Sequence, residues 1–244
     1  MKLSIVIPAL NEENYLPTLL TSLKACAPHE LDIIVVEGKS DDRTKEVAEE
    51  IAKSMPAPLT LRVFTCDVRN VSVQRNLGAE YAKNDLILFL DADTRIPSRE
   101  TLEQLIAAYE ASAAVVASCR FTPIEDDWRA RLYYNALYFF QCAMQRIEPY
   151  AAGSCIITHK SVFLRCEGFD HTIKVNEDAN YCKRATEHGR FHILPISIQV
   201  SSRRFRKDGY AAMGFTYLHM FLSRTFRGEA RSEKIVYKFG HYDK

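Results

Sequence analysis

Leu86-Ile87-Leu88-Phe89-Leu90-Asp91-Ala92-Asp93-Thr94 sets five apolar residues directly before two carboxylates one residue apart. An apolar run of this length reads as a buried strand. In extended chain, side chains two apart point the same way, so Asp91 and Asp93 are expected to form one platform at the strand end. Oxygen ligands of this kind suit Mg²⁺ or Mn²⁺. An ion held there can bridge two phosphates and neutralise the charge growing on a leaving diphosphate. By itself the tripeptide also fits a solvated turn. Phosphatases with an aspartyl nucleophile carry Asp-x-Asp after a strand too, but with Thr or Val two places after the second Asp. Arg95 stands there, and the motif lies mid-chain, which argues against that class.

Working upstream, residues 3–7 are apolar and β-branched and stop at Pro8, a first strand. Asn11-Glu12-Glu13-Asn14 supplies the caps and early acids of a helix start, followed by Leu16, Leu19, Leu20 and Leu23 at helical spacing. Residues 33–36 give a second strand. Ser40-Asp41-Asp42 opens a second helix carrying Val47, Ala48 and Ile51, residues 61–64 form a third strand, and residues 71–82 a helix. This alternation means βαβ units and a mainly parallel sheet. Ligands of such sheets bind at the carboxyl ends of the strands, where the polar clusters after Ile7, Val36 and Leu90 all fall. Downstream, residues 100–110 read as a helix with Leu102, Leu105, Ile106 and Tyr109 on one side. Residues 115–119 read as a strand, 128–147 as an aromatic helix, 155–158 as a strand, 176–188 as a helix and 192–196 as a last strand.

A chain of 244 residues can bury a large α/β core. Its 47% hydrophobic and 26% charged content is that of a globular protein, and a net charge of +1 gives no field that would favour nucleic acid. The seven cysteines are odd in number and include no Cys-x-x-Cys pair, which points to buried free thiols rather than disulfides or zinc. The N-terminal apolar run is broken by Pro8 and has no cleavage site. No stretch reaches the roughly 20 apolar residues of a spanning helix. The longest candidate, residues 210–222, is shorter and contains His219. The expectation is a cytoplasmic protein, or one resting on the inner face of a membrane.

Ile7-Pro8-Ala9-Leu10-Asn11-Glu12-Glu13 resembles the opening of family 2 glycosyltransferases, and Val36-Glu37-Gly38-Lys39-Ser40-Asp41-Asp42-Arg43-Thr44 is similar to that family's Val-Asp-Asp-Gly-Ser-Thr-Asp-Gly-Thr. Residues 69–78, with Gln74-Arg75-Asn76, look like the segment before the family's metal motif, and Phe89-Leu90-Asp91-Ala92-Asp93 looks like the motif itself. Gly168-Phe169-Asp170 followed by Asn176-Glu177-Asp178 resembles the acceptor-side signature. The resemblance runs from Lys2 to about Pro195, in the family's order. It implies an α/β GT-A fold: a Rossmann-like, mainly parallel sheet with helices on both faces and an acceptor-side α+β portion. Residues 1–95 would be the nucleotide-sugar-binding half and 96–200 the acceptor-binding half of one domain, with 201–244 a basic and amphipathic helical C-terminal segment.

The resemblance further implies roles. Pro8, Ala9, Glu12 and Glu13 would line the nucleoside pocket, Glu37 would contact the base, and Arg69 would lie near the diphosphate. Asp91 would face the ribose or a basic group, Asp93 would bind Mn²⁺ or Mg²⁺ with Asp91, and Asp178 would be the catalytic base. The donor would be a UDP- or GDP-sugar and the acceptor a saccharide or a lipid-linked molecule, with a membrane surface and a homodimer allowed as further partners. Glu37 is longer than the family's usual Asp, and Lys39 replaces a usual Gly. The Gln-x-x-Arg-Trp motif of the long processive polymerases is absent.

Several segments keep two readings. Asp178 in a first helical turn also suits the helix dipole; as a base it would deprotonate an acceptor hydroxyl attacking the anomeric carbon. Arg203, Arg204, Arg206 and Lys207 either close over the donor diphosphate, with Arg204 as a donor ligand, or form a solvated surface or a patch for anionic lipid. The aromatic stretches 128–147 and 210–226 are either ordinary core helices or interfacial ones. Two other functions compete with an inverting transferase. A nucleotidyltransferase would usually carry a Gly-rich phosphate loop after the first strand, and Ala9-Leu10-Asn11-Glu12 has no glycine. An inactive nucleotide-sugar-binding protein would have no need of Asp91, Asp93 and Asp178 together.

Overall fold

The computed structural model describes residues 2–27, 29–216 and 219. The chain runs β1 (Lys2–Ala9), α1 (Leu16–Lys24), β2 (Glu30–Glu37), α2 (Thr44–Lys53), β3 (Thr60–Thr65), α3 (Val71–Tyr81), β4 (Leu86–Leu90), β5 (Thr94–Arg95) and α4 (Arg99–Ser112). It continues through β6 (Ala114–Pro123), α5 (Trp128–Met144), β7 (Cys155–His159), α6 (Lys160–Arg165), α7 (Glu177–Ala185), β8 (Arg190–Val200) and α8 (Arg203–Asp208). These strands form one sheet in the order β3-β2-β1-β4-β7-β6-β8-β5. β1 pairs in parallel with β2 and β4, and β2 with β3, as the βαβ pattern requires. β7 then runs antiparallel between β4 and β6, β8 is parallel to β6, and β5 is antiparallel to β8. The fold is thus a parallel half fused to a mixed half. The chain reverses its direction of winding between β1 and β4, and this is where open α/β sheets form their ligand crevice.

Alternation along β1 builds both faces. Leu3, Ile5 and Ile7 pack under Leu16, Leu19, Leu20 and Leu23 of α1 and Leu102 and Leu105 of α4. Val6 joins Ile34, Val36 and Phe89 under Ala79 of α3, Phe163 of α6 and Tyr181 of α7. A strand covered on both faces reads as a continuous apolar run, which is why residues 3–7 and 86–90 are uninterrupted. All seven cysteines are free, and all but the half-buried Cys142 are buried. Among the described residues no helix is long and apolar enough to cross a membrane.

Two helix starts differ from the sequence expectation. α1 begins at Leu16, not Asn11, and α2 at Thr44, not Ser40. Asn11 has a positive φ of 56°. The backbone amides of Asn11, Glu12 and Glu13 donate to Ser40 Oγ, Thr44 Oγ1 and Asp42 Oδ2 at 3.0, 2.7 and 3.1 Å. In return Asn11 Oδ1 accepts from the Asp41 amide at 2.7 Å and Glu13 Oε2 from the Arg43 amide at 3.1 Å. Residues suited to capping helices staple two strand-end loops together instead, because short polar side chains bond loop amides as readily as helix amides. β8 extends to Val200, α5 stops at Met144 and α7 at Ala185. β5 and α6 lie where the sequence pattern signals no element, and α8 falls within the C-terminal segment expected to be helical. Of the amphipathic stretch 210–226, residues 210–216 and 219 are described, and the rest lies outside the described residues.

Candidate active site

A cavity of about 160 Å³ opens at the carboxyl ends of β1 and β4. Pro8, Leu10 and Glu12 line it from the end of β1, Arg69 and Asn70 from the loop before α3, and Gln74 and Arg75 from α3 itself. Asp91, Ala92 and Asp93 form its floor after β4. Asn176, Glu177 and Asp178 enter from the start of α7, and Arg203 and Arg204 from α8. Chain segments nearly two hundred residues apart thus converge on the acid pair.

Asp91 and Asp93 leave the strand and enter a turn, in which the Thr94 amide and hydroxyl donate to the Asp91 carbonyl at 3.2 and 2.8 Å. The period-two rule of extended chain therefore does not apply to them, yet both line the same cavity. Each takes its own arginine. Arg75 Nη2 donates to Asp91 Oδ1 at 2.8 Å, and Arg203 Nη2 lies 3.2 Å from Asp93 Oδ2. Ser154 Oγ approaches Asp91 Oδ2 at 3.4 Å. Asp93 is buried, and burial raises its pKa against the opposing pull of Arg203 and Arg204.

Arg75 is the buried hub of the site. Its side chain is 2% exposed and reaches Asp91 with Nη2 and Glu177 Oε1 with Nη1, the latter at 2.7 Å. Its guanidinium stacks 5.2 Å from the centroid of Phe169. Burial works against its charge, but Asp91, Glu177 and Asp178 outweigh that and hold it cationic. Gly153 is required beside it, since an added Cβ would overlap Arg75 Nη2. The Gly168-Phe169-Asp170 signature supports this hub and does not line the cavity. Asn76 donates from Nδ2 to the Phe169 carbonyl and accepts at Oδ1 from the Phe169 amide, both at 2.8 Å, which fixes the ring beneath Arg75.

Asp178 follows Glu177 and is half-buried. Its carboxyl is pushed up to about 7 by burial, reinforced by the charges of Glu177 and Asp91 and opposed by Arg75. Asn176, at φ 65°, turns the chain so that both acids enter the cavity from the first turn of α7. A carboxyl that titrates near neutrality suits a general base.

Arg203 does not lie on a solvated surface, one of the readings of the basic run. It is 6% exposed, donates to Glu12 Oε1 at 2.5 Å and stacks 4.1 Å from the Tyr15 ring centroid. Glu12 is raised to about 7 by burial, with Arg203 opposing and Asp93 reinforcing. The Ser201 amide donates to the Asp93 carbonyl at 2.9 Å, which seats α8 against the acid turn.

Of the residues expected to bind donor, Pro8, Glu12, Arg69, Asp91 and Arg204 line the cavity, and Ala9, Glu13 and Glu37 do not. The Ala9 carbonyl is taken by Gln74 Nε2 and the Gly38 amide, both at 2.9 Å. The Glu13 carboxylate is spent on the Arg43 amide. Glu37 is 3% exposed and accepts from the Ser40 amide, a buried link within its own loop. Arg69 sits at the rim, tied to Asp41 by two hydrogen bonds at 3.0 and 2.6 Å. Arg75 and Glu177 have no role predicted from the sequence, although each lies within a quoted motif. A long basic side chain inside the segment before the acid pair is the one signal that points to Arg75.

The donor set can be weighed against a divalent ion. Among the described residues no three His, Cys, Asp or Glu side chains converge on one point. Two carboxylates suffice, however, where substrate phosphates complete the shell, and Asp91 and Asp93 supply hard oxygens at the cavity floor. Buried Glu12 Oε2, in the same cavity, has no hydrogen-bond partner among the described residues. The residues present fit Mn²⁺ or Mg²⁺ held jointly with a diphosphate.

A Rossmann-like half ending in an acid turn, joined to a mixed half that brings in an acidic helix, is the GT-A class of glycosyltransferase fold. The mannosyltransferase PcManGT from Pyrobaculum calidifontis, in complex with GDP-Man and Mn²⁺, superposes with a TM-score of 0.69 at 17% identity over 89% of this chain and 64% of that one. The family described as Glycosyl transferase family 2 matches residues 4–166, and the chain belongs to that family. Relatives include a 4,4'-diaponeurosporenoate glycosyltransferase of Staphylococcus haemolyticus, 33% identical over 44% of this chain and 28% of that protein. An undecaprenyl-phosphate 4-deoxy-4-formamido-L-arabinose transferase of Pseudomonas savastanoi is 30% identical over 52% of this chain and 38% of that one. The chain thus spans well under half the length of these relatives.

Proposed function

We propose that this chain is an inverting glycosyltransferase unit that moves a sugar from a UDP- or GDP-linked donor to a hydroxyl or lipid-phosphate acceptor. One observation carries the reading: the acid pair Asp91 and Asp93, the near-neutral carboxyl of Asp178 and the arginines 75, 203 and 204 share one cavity at the sheet's switch point. Donor handling falls to residues 1–95, acceptor handling to 96–200, and the basic run Arg203, Arg204, Arg206 and Lys207 closes over the donor diphosphate. Pro8, Glu12 and Arg69 face the nucleoside side, and Arg203 and Arg204 present cations to the diphosphate. Asp93, with Asp91, would hold Mn²⁺ or Mg²⁺, which when bound neutralises the departing diphosphate. Arg75 fixes Asp91 and Glu177 so that Asp178 keeps its place relative to the acid turn.

For a hydroxyl acceptor, Asp178 takes the proton as the oxygen attacks the anomeric carbon opposite the leaving group, which inverts that centre. A lipid phosphate is already anionic, and Asp178 then orients it. The name of the Pseudomonas relative, an undecaprenyl-phosphate transferase, supports a lipid-linked acceptor and work at a membrane surface.

The test is a donor screen by product mass with UDP- and GDP-sugars and Mn²⁺ or Mg²⁺. Asp93→Ala is expected to lose donor hydrolysis and transfer by about a hundredfold or more, since losing even an outer-shell partner of a metal ligand costs about ten- to a hundredfold. Turnover that persists in that variant with the metal chelated would contradict the proposal.

A further inference from the structure

A second cavity, of about 300 Å³, lies beside the first and is of opposite character. Its walls are Phe121, Tyr133, Tyr134, Leu137, Phe140 and Phe205, contributed by β6, α5 and α8. The two cavities are continuous in their lining: Asp91, Asp93, Ser154 and Arg204 border both. The second therefore has a polar end at the acid turn and an apolar body leading away from it. Its other end opens on the surface, because Phe140 lines it while 39% exposed and Ala136 lines it while exposed. The apolar surface continues past that opening, with Trp128, Leu132 and Phe139 of α5 at 67%, 63% and 68% exposure. They fall on one stripe of the helix at spacings of four and seven. A cavity of this size is at the low end for small-molecule sites. Its layout matches an elongated amphiphile with a reactive head at the catalytic acids and an apolar tail running out along α5.

We infer that the aromatic cavity between α5 and α8 binds the linear apolar chain of the acceptor, of isoprenoid type, and so presents the accepting group to the Asp91–Asp93 turn. The inference rests on the transferase reading and names its acceptor by chemistry. Ser154 and Arg204 lie where the chain ends, so either a hydroxyl or a phosphate head meets a polar partner there. The walls already pack on one another, with the Tyr133 and Phe205 ring centroids 4.5 Å apart, and a hydrocarbon chain entering between them would bury further apolar surface that a sugar would not.

The test measures binding, which needs no turnover. Farnesyl phosphate and farnesol, in detergent micelles, are titrated against the full chain and against Ala136→Trp and Phe140→Ser, with Leu164→Trp on the exposed face of α6 as control. Ala136 is exposed, so a larger side chain fills the mouth without entering the core, and circular dichroism verifies each fold. At least one probe is expected to bind the wild type and the control equally. Ala136→Trp should weaken that binding about tenfold or more, the effect of losing a well-packed apolar contact. Binding of the phosphate alone supports the inference with an anionic head, and binding of both supports it with the chain as the recognised element. Failure of both probes to bind overturns it. Affinity unchanged in both cavity variants overturns it as well. Donor hydrolysis by the wild type is scored separately: its absence counts against the transferase reading, while the cavity stands or falls by the two probes.

Discussion

Arg75 shows how one buried side chain organises the site. It neutralises Asp91 and Glu177 and faces Asp178. Its removal leaves carboxylates buried without a counter-charge, a change that costs about 3–5 kcal/mol. Arg75→Met is expected to lower the urea unfolding midpoint accordingly. Arg75→Lys should recover only part of the loss, since an ammonium lacks the planar fork that reaches two acids at once. Asp178 makes a pH prediction. As a base it must be ionised, so transfer to a hydroxyl acceptor is expected to rise with pH through about 7 and then level off. Asp178→Asn should abolish that transfer while donor binding persists, read by product formation and calorimetry. Stability moves the other way. A carboxyl raised in the folded state from its ordinary 3.8 to about 7 binds its proton more tightly there, so it costs stability as pH rises between those values. Asp178→Asn should therefore melt higher than wild type at about pH 8, with the gain shrinking toward about pH 4. Asp91, Asp93 and Asp178 are legible in the sequence because each closes or opens an element. Arg75 is not, because its role depends on Glu177, 102 residues away.

Among the elements, α3 couples the core to the cavity. Asn70 caps it, accepting from the Ser72 and Val73 amides at 2.9 and 3.2 Å, and donates from Nδ2 to the His171 carbonyl at 3.0 Å. Gly78 lets the helix lie directly on β1, where a Cβ would overlap Val6 Cγ1. Gly78→Ala is expected to destabilise by about 1–3 kcal/mol through overpacking rather than to stabilise through helix propensity, measurable as a shift in denaturation midpoint at constant slope. The strands and most helices are legible from apolar runs and periodicity. The caps at 11–14 and 40–42 misplace two helix starts because the same Asn, Ser and Asp side chains serve loop amides. α5 keeps two readings in the sequence because its residues face two ways. Ala130 and Tyr134 pack into the core, while Trp128 and Leu132 stand out from it.

At the scale of the whole molecule, Arg203 joins the end of the sheet to its beginning, binding Glu12 across 191 residues. Donor and metal would bind the folded chain alone. A saturating nucleotide sugar with Mn²⁺ is therefore expected to stabilise by about 2.7 kcal/mol at a hundredfold excess over its Kd. Differential scanning calorimetry reads this, and Asp93→Ala should remove most of the shift.

The sequence by itself determined the βαβ architecture, the position of the acid pair and the family, because buried strands, strand-end polar clusters and ordered motifs are local patterns. Only the tertiary structure decided which charges compensate one another, that Ala9, Glu13 and Glu37 lie outside the cavity lining, and that an aromatic cavity adjoins the acids. Ion pairing and cavity shape depend on distances between residues far apart in the chain, and spacing along one sequence carries no such distances.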